Sequence, residues 1–192
     1  MSNSDGKELR TQVEQNKLRI LFLTDTHLGF LENDPIRGQD SFNSFSEILE
    51  LAKKYDVDLI LHGGDLYHDN RPSKNTENQC IQLIRSHTFG NKQLKFEFLS
   101  NKDYRANFEA NQFSISYPIF AIHGNHDDRA GSKRVSALDI LHSAGIINLF
   151  GNFDNVSSNI EIEPLLFSKG STRLALFGIG SVKDERLYNQ FK

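Results

Sequence analysis

Three short clusters of aspartate, histidine and asparagine residues each follow an apolar stretch of the chain. The stretches and the polar residues after them are 18–23 with Asp25 and His27, 57–61 with Asp65, and 117–122 with Asn125 and His126. Each apolar stretch predicts a buried β-strand, and open α/β sheets bind ligands outside the carboxyl ends of their strands. We therefore expect the three clusters to meet at one edge of a sheet.

The side chains in these clusters suit a pair of divalent metal ions. Side chains two residues apart in an extended chain point the same way, so Asp25 and His27 can bind one ion together. Asp65 can bridge two ions with its two oxygens, and Asn125 offers a neutral amide oxygen. Mixed carboxylate, amide and imidazole ligands favour Mn²⁺ or iron over a thiolate-seeking ion.

Such a site would favour displacement at a phosphate ester. Two ions about 3.5 to 4 Å apart can bind both the attacking and the leaving oxygens of a phosphoryl group. His126 would then act as a general acid toward the leaving oxygen, or as a cation beside the phosphate. Asp127 or Asp128 could orient its ring. The two glycines before Asp65 would leave room for the phosphate.

Each cluster also has an ordinary structural interpretation when it is taken alone. Asp-x-His triplets occur often by chance, and Gly-Gly-Asp and Gly-Asn-His-Asp also occur in plain turns. The order of the three clusters, each directly after a predicted strand, favours a site. His68 is intermediate because it follows Asp65 in the same loop. Four other histidines lack this context and are interpreted as structural: His62, His87, His123 and His142.

The pattern between the clusters predicts helices that connect parallel strands. Apolar residues from Phe42 to Ala52 recur at spacings of three and four, which predicts an amphipathic helix ending near Tyr55. Ser73 and Ser136 are predicted to cap further helices at about 73–89 and 136–144. The remaining predicted elements are an edge strand at 94–98, strands at 146–150, 160–167 and 174–179, and a helix from Asp184.

The composition fits a soluble, intracellular domain of ordinary size. The chain has 192 residues, 38% of them hydrophobic, which is enough to build a core. It contains no apolar run near the roughly 20 residues of a bilayer span, and its N-terminus lacks the apolar core of a signal peptide. A single cysteine, Cys80, excludes a cysteine-based zinc site. A net charge of −3 means that any contact with DNA would be local.

The three clusters together resemble the signature of the calcineurin-like metallophosphoesterases, which is Asp-x-His, then Gly-Gly-Asp, then Gly-Asn-His-Asp or -Glu. Within that family, residues 24–30, 63–68, 122–128 and 137–141 resemble the nuclease subunits of the MRN/MRX complexes for double-strand-break repair. The resemblance implies an α/β metallophosphoesterase sandwich, with two sheets flanked by helices. It also implies Mn²⁺-dependent 3′–5′ exonuclease and single-strand endonuclease activity, with two Mn²⁺ ions in a complete site.

The resemblance assigns roles to individual residues and implies partners. The implied metal ligands are Asp25 and His27 for one Mn²⁺, Asn125 for the other, and Asp65 between them. The implied catalytic residues are His126 and, for exonuclease action, His68. The implied partners are DNA ends, a second copy bound through the helices near 73–89 and 136–144, an SMC-like ATPase subunit, and a nibrin-type subunit near 88–117. The implied location is the nucleus, with no membrane association.

The chain departs from the family pattern in its histidines. Family members carry three further histidine ligands downstream, whereas all seven histidines of this chain lie at or before His142. We therefore expect residues 17–192 to be the N-terminal part of a nuclease domain that is incomplete at its C-terminal end. Residues 1–16 are polar and aperiodic, which predicts a disordered lead. The alternatives to a nuclease subunit are a non-catalytic dimerising or scaffolding fragment and another metallophosphoesterase, such as a small-molecule or protein phosphatase.

Overall fold

Three helices of seven residues or more and seven strands form the body of the described structure. The computed structural model describes residues 13–100, 104–110, 112–127, 135–152, 161–182, 185, 187 and 188. The helices are α1 Asp40–Lys54, α2 Lys74–Thr88 and α3 Ala137–Ser143. The strands are β1 Ile20–Leu23, β2 Leu59–His62, β3 Glu97–Phe98, β4 Ile119–Ala121, β5 Asn148–Leu149, β6 Leu165–Lys169 and β7 Thr172–Leu176. No helix within these ranges is long and apolar enough to cross a bilayer.

A parallel sheet positions the three polar clusters. Its strand order is β1-β2-β4-β5, and its register pairs Ile20 with Leu59 and Ile60 with Ile119. Parallel neighbours need a crossover connection, which α1 supplies between β1 and β2, and α2 lies on the longer path from β2 to β4. The segments after β1, β2 and β4 therefore leave adjacent strands at the same edge of the sheet.

An antiparallel sheet of order β3-β6-β7 covers the face of the parallel sheet opposite the helices. Successive residues of a strand point to opposite faces, and β2 shows this alternation. Leu59 packs in a cluster with Phe120 and Phe167, whereas Ile60 packs with the helices through residues such as Phe45. The layers are thus helices, parallel sheet and antiparallel sheet. This arrangement confirms the predicted α/β sandwich.

A buried ion pair connects the two sheets. The Nζ atom of Lys169, at the end of β6, lies 2.7 Å from both carboxylate oxygens of Asp58, just before β2. The two side chains are only 6% and 3% exposed. Oδ2 of Asp58 also accepts a hydrogen bond from the backbone N–H of Arg19 at 2.7 Å. Polar contacts thus contribute to the packing of the two sheets.

The predicted helix caps are confirmed at α2 and α3. The side chain of Ser73 accepts a hydrogen bond from the backbone N–H of Thr76. Ser136 and Asp139 form a capping box, in which each side chain accepts from the other residue's backbone N–H. Gly145 follows α3 with a φ of +71°, a conformation that glycine adopts without strain.

The structure corrects three other predictions from the sequence. Among the described strands, β1 is at the edge of its sheet, and Phe22 is 66% exposed, because an apolar run does not report how many neighbours a strand has. Residues 13–16 of the predicted disordered lead form a helical turn, where Asn16 accepts a hydrogen bond from the Ser171 N–H. The strand predicted at 160–167 begins only at Leu165.

Three segments of these predictions lie outside the described residues. They are residues 1–12 of the lead, residue 160 of the strand predicted at 160–167, and most of the helix predicted from Asp184. Within that last segment, residues 185, 187 and 188 are described and are helical.

Candidate metal centre

Backbone hydrogen bonds join the segments that follow β1 and β2. The N–H of Asp25 donates to the Gly64 carbonyl at 3.0 Å, and the N–H of His27 donates to the Asp65 carbonyl at 3.0 Å. The same pairing continues with the N–H of Leu28 and the carbonyl of Leu66 at 2.8 Å. The first two polar clusters therefore lie side by side, as the sequence predicts.

Three of the predicted metal ligands converge at this point. One ligand atom from each of Asp25, His27 and Asp65 lies within 4.8 Å of the others. All three residues have a positive φ, at 55°, 43° and 55°, which is uncommon outside glycine and costs of order 1–3 kcal/mol each. The fold thus maintains a strained backbone at the position of all three side chains.

The donor set of this group fits a divalent cation. Two carboxylates and an imidazole are ligands that Mn²⁺ and similar ions accept. The Nδ1 atom of His27 is buried and has no hydrogen-bond partner among the described residues. A buried polar atom without a partner is costly, and a bound ion would supply the contact that Nδ1 lacks.

Close approach of two loops brings the third cluster to Asp65. A Cβ atom on Gly64 would lie 2.6 Å from the backbone N of Gly124, and one on Gly124 would lie 2.0 Å from Oδ1 of Asp65. Only glycine fits at these two positions, because the atoms in the way belong to the backbone or to a buried side chain. The space beside Gly64 is therefore occupied by the Gly124 loop, and not left for a phosphate as predicted.

Asn125 and His126 follow this contact directly. The backbone N–H of His126 donates to Oδ1 of Asp65 at 2.8 Å, so the third cluster is joined to the second. Asn125 is exposed, between two residues that contact Asp65. Asn125 is thus beside the other candidate ligands, with its side chain accessible.

The orientation of His126 depends on His68. Nδ1 of His126 lies 2.5 Å from the backbone carbonyl oxygen of His68. Because a carbonyl oxygen can only accept, Nδ1 carries the proton and Nε2 has the lone pair in the neutral ring. The two rings also stack, with centroids 5.3 Å apart and an interplanar angle of 25°.

Asp127 does not orient His126 as predicted. Its carboxylate is 2% exposed and accepts hydrogen bonds from the backbone N–H groups of Leu66 and Tyr67, at 3.0 and 3.1 Å. Burial raises the pKa of Asp127, and these backbone hydrogen bonds oppose that rise. Asp127 therefore stabilises the loop that carries Asp65 through these hydrogen bonds. Asp128, the other residue predicted to orient His126, lies outside the described residues.

Comparison with known proteins agrees with this arrangement. A family model for calcineurin-like phosphoesterases matches residues 18–190, which include all three polar clusters. The chain belongs to the calcineurin-like phosphoesterases.

Individual relatives of this phosphoesterase include double-strand break repair proteins named MRE11. The human protein is 45% identical over 199 residues, which cover 100% of this chain and 27% of that protein. The Coprinopsis cinerea and Oryza sativa subsp. indica proteins are each 42% identical, over 96% and 93% of this chain respectively. The chain spans about a quarter of the length of these relatives.

Sequence reasoning missed the part that His62 plays in this phosphoesterase site. His62 is buried at the end of β2, and its Nδ1 accepts a hydrogen bond from the Gly64 N–H at 3.2 Å. Its Nε2–H therefore donates to Oγ1 of Thr26 at 3.1 Å, and Thr26 donates to the Leu66 carbonyl. His62 is structural, as predicted, but it connects the two loops that carry Asp25 and Asp65. No motif signals this role, because it depends on the alignment of β1 and β2.

Burial lowers the pKa of His62 to about 4, while the negative charge of Asp25 opposes the shift. The unfolded chain, with a histidine pKa near 6.5, binds more protons than the folded chain between these values, so stability falls as the pH drops below about 6.5. We expect wild-type protein to lose about 2 kcal/mol more unfolding free energy than His62→Gln between pH 7 and pH 5. Urea unfolding at both pH values measures this difference. Equal losses in the two proteins would show that His62 does not titrate in this way.

The other predicted structural histidines contact residues away from the Asp25 group. His123 is buried, and its Nε2 lies 3.0 Å from Oγ of Ser136, the cap of α3. Nδ1 of His87 lies 2.9 Å from the Leu83 carbonyl within α2, and Nδ1 of His142 accepts from the Leu149 N–H at 3.3 Å.

Proposed function

We propose that this chain supplies metal ligands and the catalytic histidine of a manganese-dependent DNA nuclease subunit that acts in double-strand-break repair. The observation that carries the proposal is the convergence of Asp25, His27 and Asp65 within 4.8 Å, with the His126 ring centroid 4.8 Å from that of His27. The 45% identity to human MRE11 supports a role in DNA repair. The nuclease would cleave DNA as a 3′–5′ exonuclease and as a single-strand endonuclease.

Asp25, His27 and Asp65 would bind one Mn²⁺, and Asp65 and Asn125 would contribute to a second. When bound, two divalent ions place positive charge beside the attacking and leaving oxygens of a phosphodiester. Oδ1 of Asp65 accepts a hydrogen bond from the backbone N–H of His126, and this bond holds the carboxylate in one orientation. The chain's own contribution is thus a set of oxygen and nitrogen ligands in a fixed arrangement.

His126 would contact the phosphate, not the metal. Its Nδ1–H is taken by the His68 carbonyl, so the ring in its imidazolium form would hold its second proton on Nε2, beside the substrate. Transfer of that proton to the leaving oxygen would return the ring to its neutral Nδ1–H form. His68 would act as a positioning residue through its carbonyl group and its stacked ring. We propose that His68 serves exonuclease action in this positioning role.

The proposal is tested by a cleavage assay with the full-length product of the gene that encodes this chain. With Mn²⁺ we expect degradation of linear DNA and little hydrolysis of a phosphomonoester such as p-nitrophenyl phosphate. Asp65→Asn should abolish cleavage because it removes the proposed bridging charge, whereas Asp69→Asn, an exposed residue of the same loop, should not. Hydrolysis of the phosphomonoester without cleavage of DNA would favour a phosphatase. Absence of both activities would favour a scaffolding protein.

We also propose a homodimer through the helices near 73–89 and 136–144. In α3, Ile140 is 55% exposed, whereas Leu141 is 2% exposed and belongs to the core. Leu83 is half-buried and packs against that core. Ile140 is therefore the better probe of the interface, because a charge at Leu141 would unfold the chain.

Ile140→Asp is expected to convert a dimer into a folded monomer. Charge at an apolar contact is strongly unfavourable in a closed symmetric interface, which would contain the change twice. Light scattering gives the mass, and circular dichroism checks the fold. A folded variant of unchanged dimeric mass would place the interface elsewhere.

We infer the remaining partners only from the resemblance to nuclease subunits of the MRN/MRX complexes. They are DNA ends, an SMC-like ATPase subunit and a nibrin-type subunit that contacts residues near 88–117, all in the nucleus.

A further inference from the structure

Three histidine rings meet beside the proposed manganese ligands. One ring nitrogen from each of His27, His68 and His126 lies within 4.8 Å of the others, and all three residues are half-buried. The ring centroid of His27 lies 5.5 Å from that of His68 and 4.8 Å from that of His126. The three residues follow β1, β2 and β4, so three different strands determine this arrangement.

The hydrogen bonds of these rings suit metal ligation. Histidines that bind metal usually donate their second ring N–H to a carbonyl or carboxylate, which fixes the tautomer and the ring. His126 makes such a bond to the His68 carbonyl, and this leaves the Nε2 lone pair available. Nδ1 of His27 is buried and has no hydrogen-bond partner among the described residues. The His126 ring is therefore oriented before an ion binds, and His27 has a buried ring nitrogen whose missing contact an ion would supply.

The donor atoms differ in kind from those of the proposed manganese site. Three neutral imidazole nitrogens with an open fourth position are a known ligand set for Zn²⁺. Mn²⁺ prefers carboxylate, carbonyl and water oxygens, and it is the weaker binder at a nitrogen site. The carboxylate of Asp25, 3.8 Å from Nε2 of His27, would offset part of the added positive charge.

We propose that His27, His68 and His126 form a second site, which overlaps the proposed manganese site at His27, for Zn²⁺ and ions of similar preference. The site stands on the three imidazoles and does not require the proposed nuclease activity. The effect of Zn²⁺ on nuclease function rests on the proposed manganese site, because His27 belongs to both groups of ligands. A neutral imidazole has one lone-pair nitrogen and binds one ion at a time, so Zn²⁺ would compete with Mn²⁺ for His27 and also occupy His126.

Calorimetric titration of the 192-residue chain with Zn²⁺ alone and with Mn²⁺ alone tests the site. We expect one Zn²⁺ per chain, with an affinity at least tenfold above that for Mn²⁺. His68→Asn should weaken Zn²⁺ binding at least tenfold and change Mn²⁺ binding less than threefold. Asp25→Asn should weaken Mn²⁺ binding at least tenfold and Zn²⁺ binding less than threefold, because Asp25 is a proposed ligand of Mn²⁺ but only a nearby charge for Zn²⁺.

His126→Asn is the second variant, in case His68→Asn does not fold, and it should also weaken Zn²⁺ binding at least tenfold. His87→Asn is the matched control, because His87 is a half-buried histidine of α2 outside both groups. Circular dichroism without metal identifies variants that are folded. Equal loss of Zn²⁺ affinity in folded Asp25→Asn and His68→Asn would overturn the proposal by placing Zn²⁺ in the Asp25 group. Zn²⁺ affinity no higher than that for Mn²⁺ would also overturn it. Failure of DNA cleavage with these results intact would count against the proposed nuclease alone.

Discussion

Replacement of His126 by asparagine is expected to lower DNA cleavage by the full-length protein about 10²- to 10⁴-fold. The affinity for Mn²⁺ should change less than about threefold, a loss below 1 kcal/mol of binding free energy. The reason is that His126 contacts the proposed ligand Asp65 through its backbone N–H, which asparagine retains, and its ring meets the proposed ligand His27 only edge to face. Its ring is directed by the His68 carbonyl and would serve the substrate. The measurements are cleavage rates at saturating Mn²⁺ and a calorimetric titration of the same variant.

The matched control for this variant is His87→Asn, which replaces a half-buried histidine of α2 by the same residue. It should leave both cleavage and Mn²⁺ affinity unchanged. Loss of Mn²⁺ affinity in His126→Asn, in proportion to the loss of cleavage, would make His126 a metal ligand and remove it from the proposed catalytic role.

Replacement of Lys169 by methionine should lower the free energy of unfolding by about 3 to 5 kcal/mol. The change removes the cation beside the buried Asp58 carboxylate. Among the described residues, the backbone N–H of Arg19 still donates a hydrogen bond to this carboxylate. A lone buried charge is costly because the protein interior solvates it poorly. Urea unfolding at pH 7 gives the change directly.

Two further variants separate the buried pair from a general effect of lost lysine. Lys95→Met breaks an ion pair with Asp56 in which the Lys95 side chain is 57% exposed, and it should cost less than about 1 kcal/mol. Asp58→Asn in the Lys169→Met background should recover much of the stability, because it removes the unpaired charge and retains an acceptor for Arg19. A loss below about 1 kcal/mol in Lys169→Met would contradict the importance of the pair.

The fold could be predicted to the extent that it depends on local patterns. The spacing of Phe42, Phe45 and Leu49 is sufficient to predict α1, and Ser73 marks the start of α2, because these signals lie within a few residues of each other. The pairing of Asp58 with Lys169 could not be predicted, because the two residues are 111 positions apart and meet only through the packing of two sheets.

The meeting of Asp25, His27 and Asp65 also follows from the sequence, since parallel neighbouring strands must end at one edge. The partners of the surrounding side chains do not follow. His62 and Asp127 both contact backbone groups of the Asp65 loop, and this depends on how the loops bend after the strands. Asp127 was expected at His126 because the two are adjacent in sequence, whereas its carboxylate points to Leu66 and Tyr67.

The central claim is that Asp25, His27 and Asp65 bind a divalent ion, and a calorimetric titration of the 192-residue chain with Mn²⁺ tests it most directly. We expect a single Mn²⁺ to bind, and to bind weakly. A second ion would have only Asp65 and Asn125 as proposed ligands from these residues, and two ligands leave most of its water in place. Asp65→Asn should weaken this binding at least tenfold, whereas Asp69→Asn should leave it unchanged. Mn²⁺ binding that is the same in wild type and folded Asp65→Asn would contradict the claim.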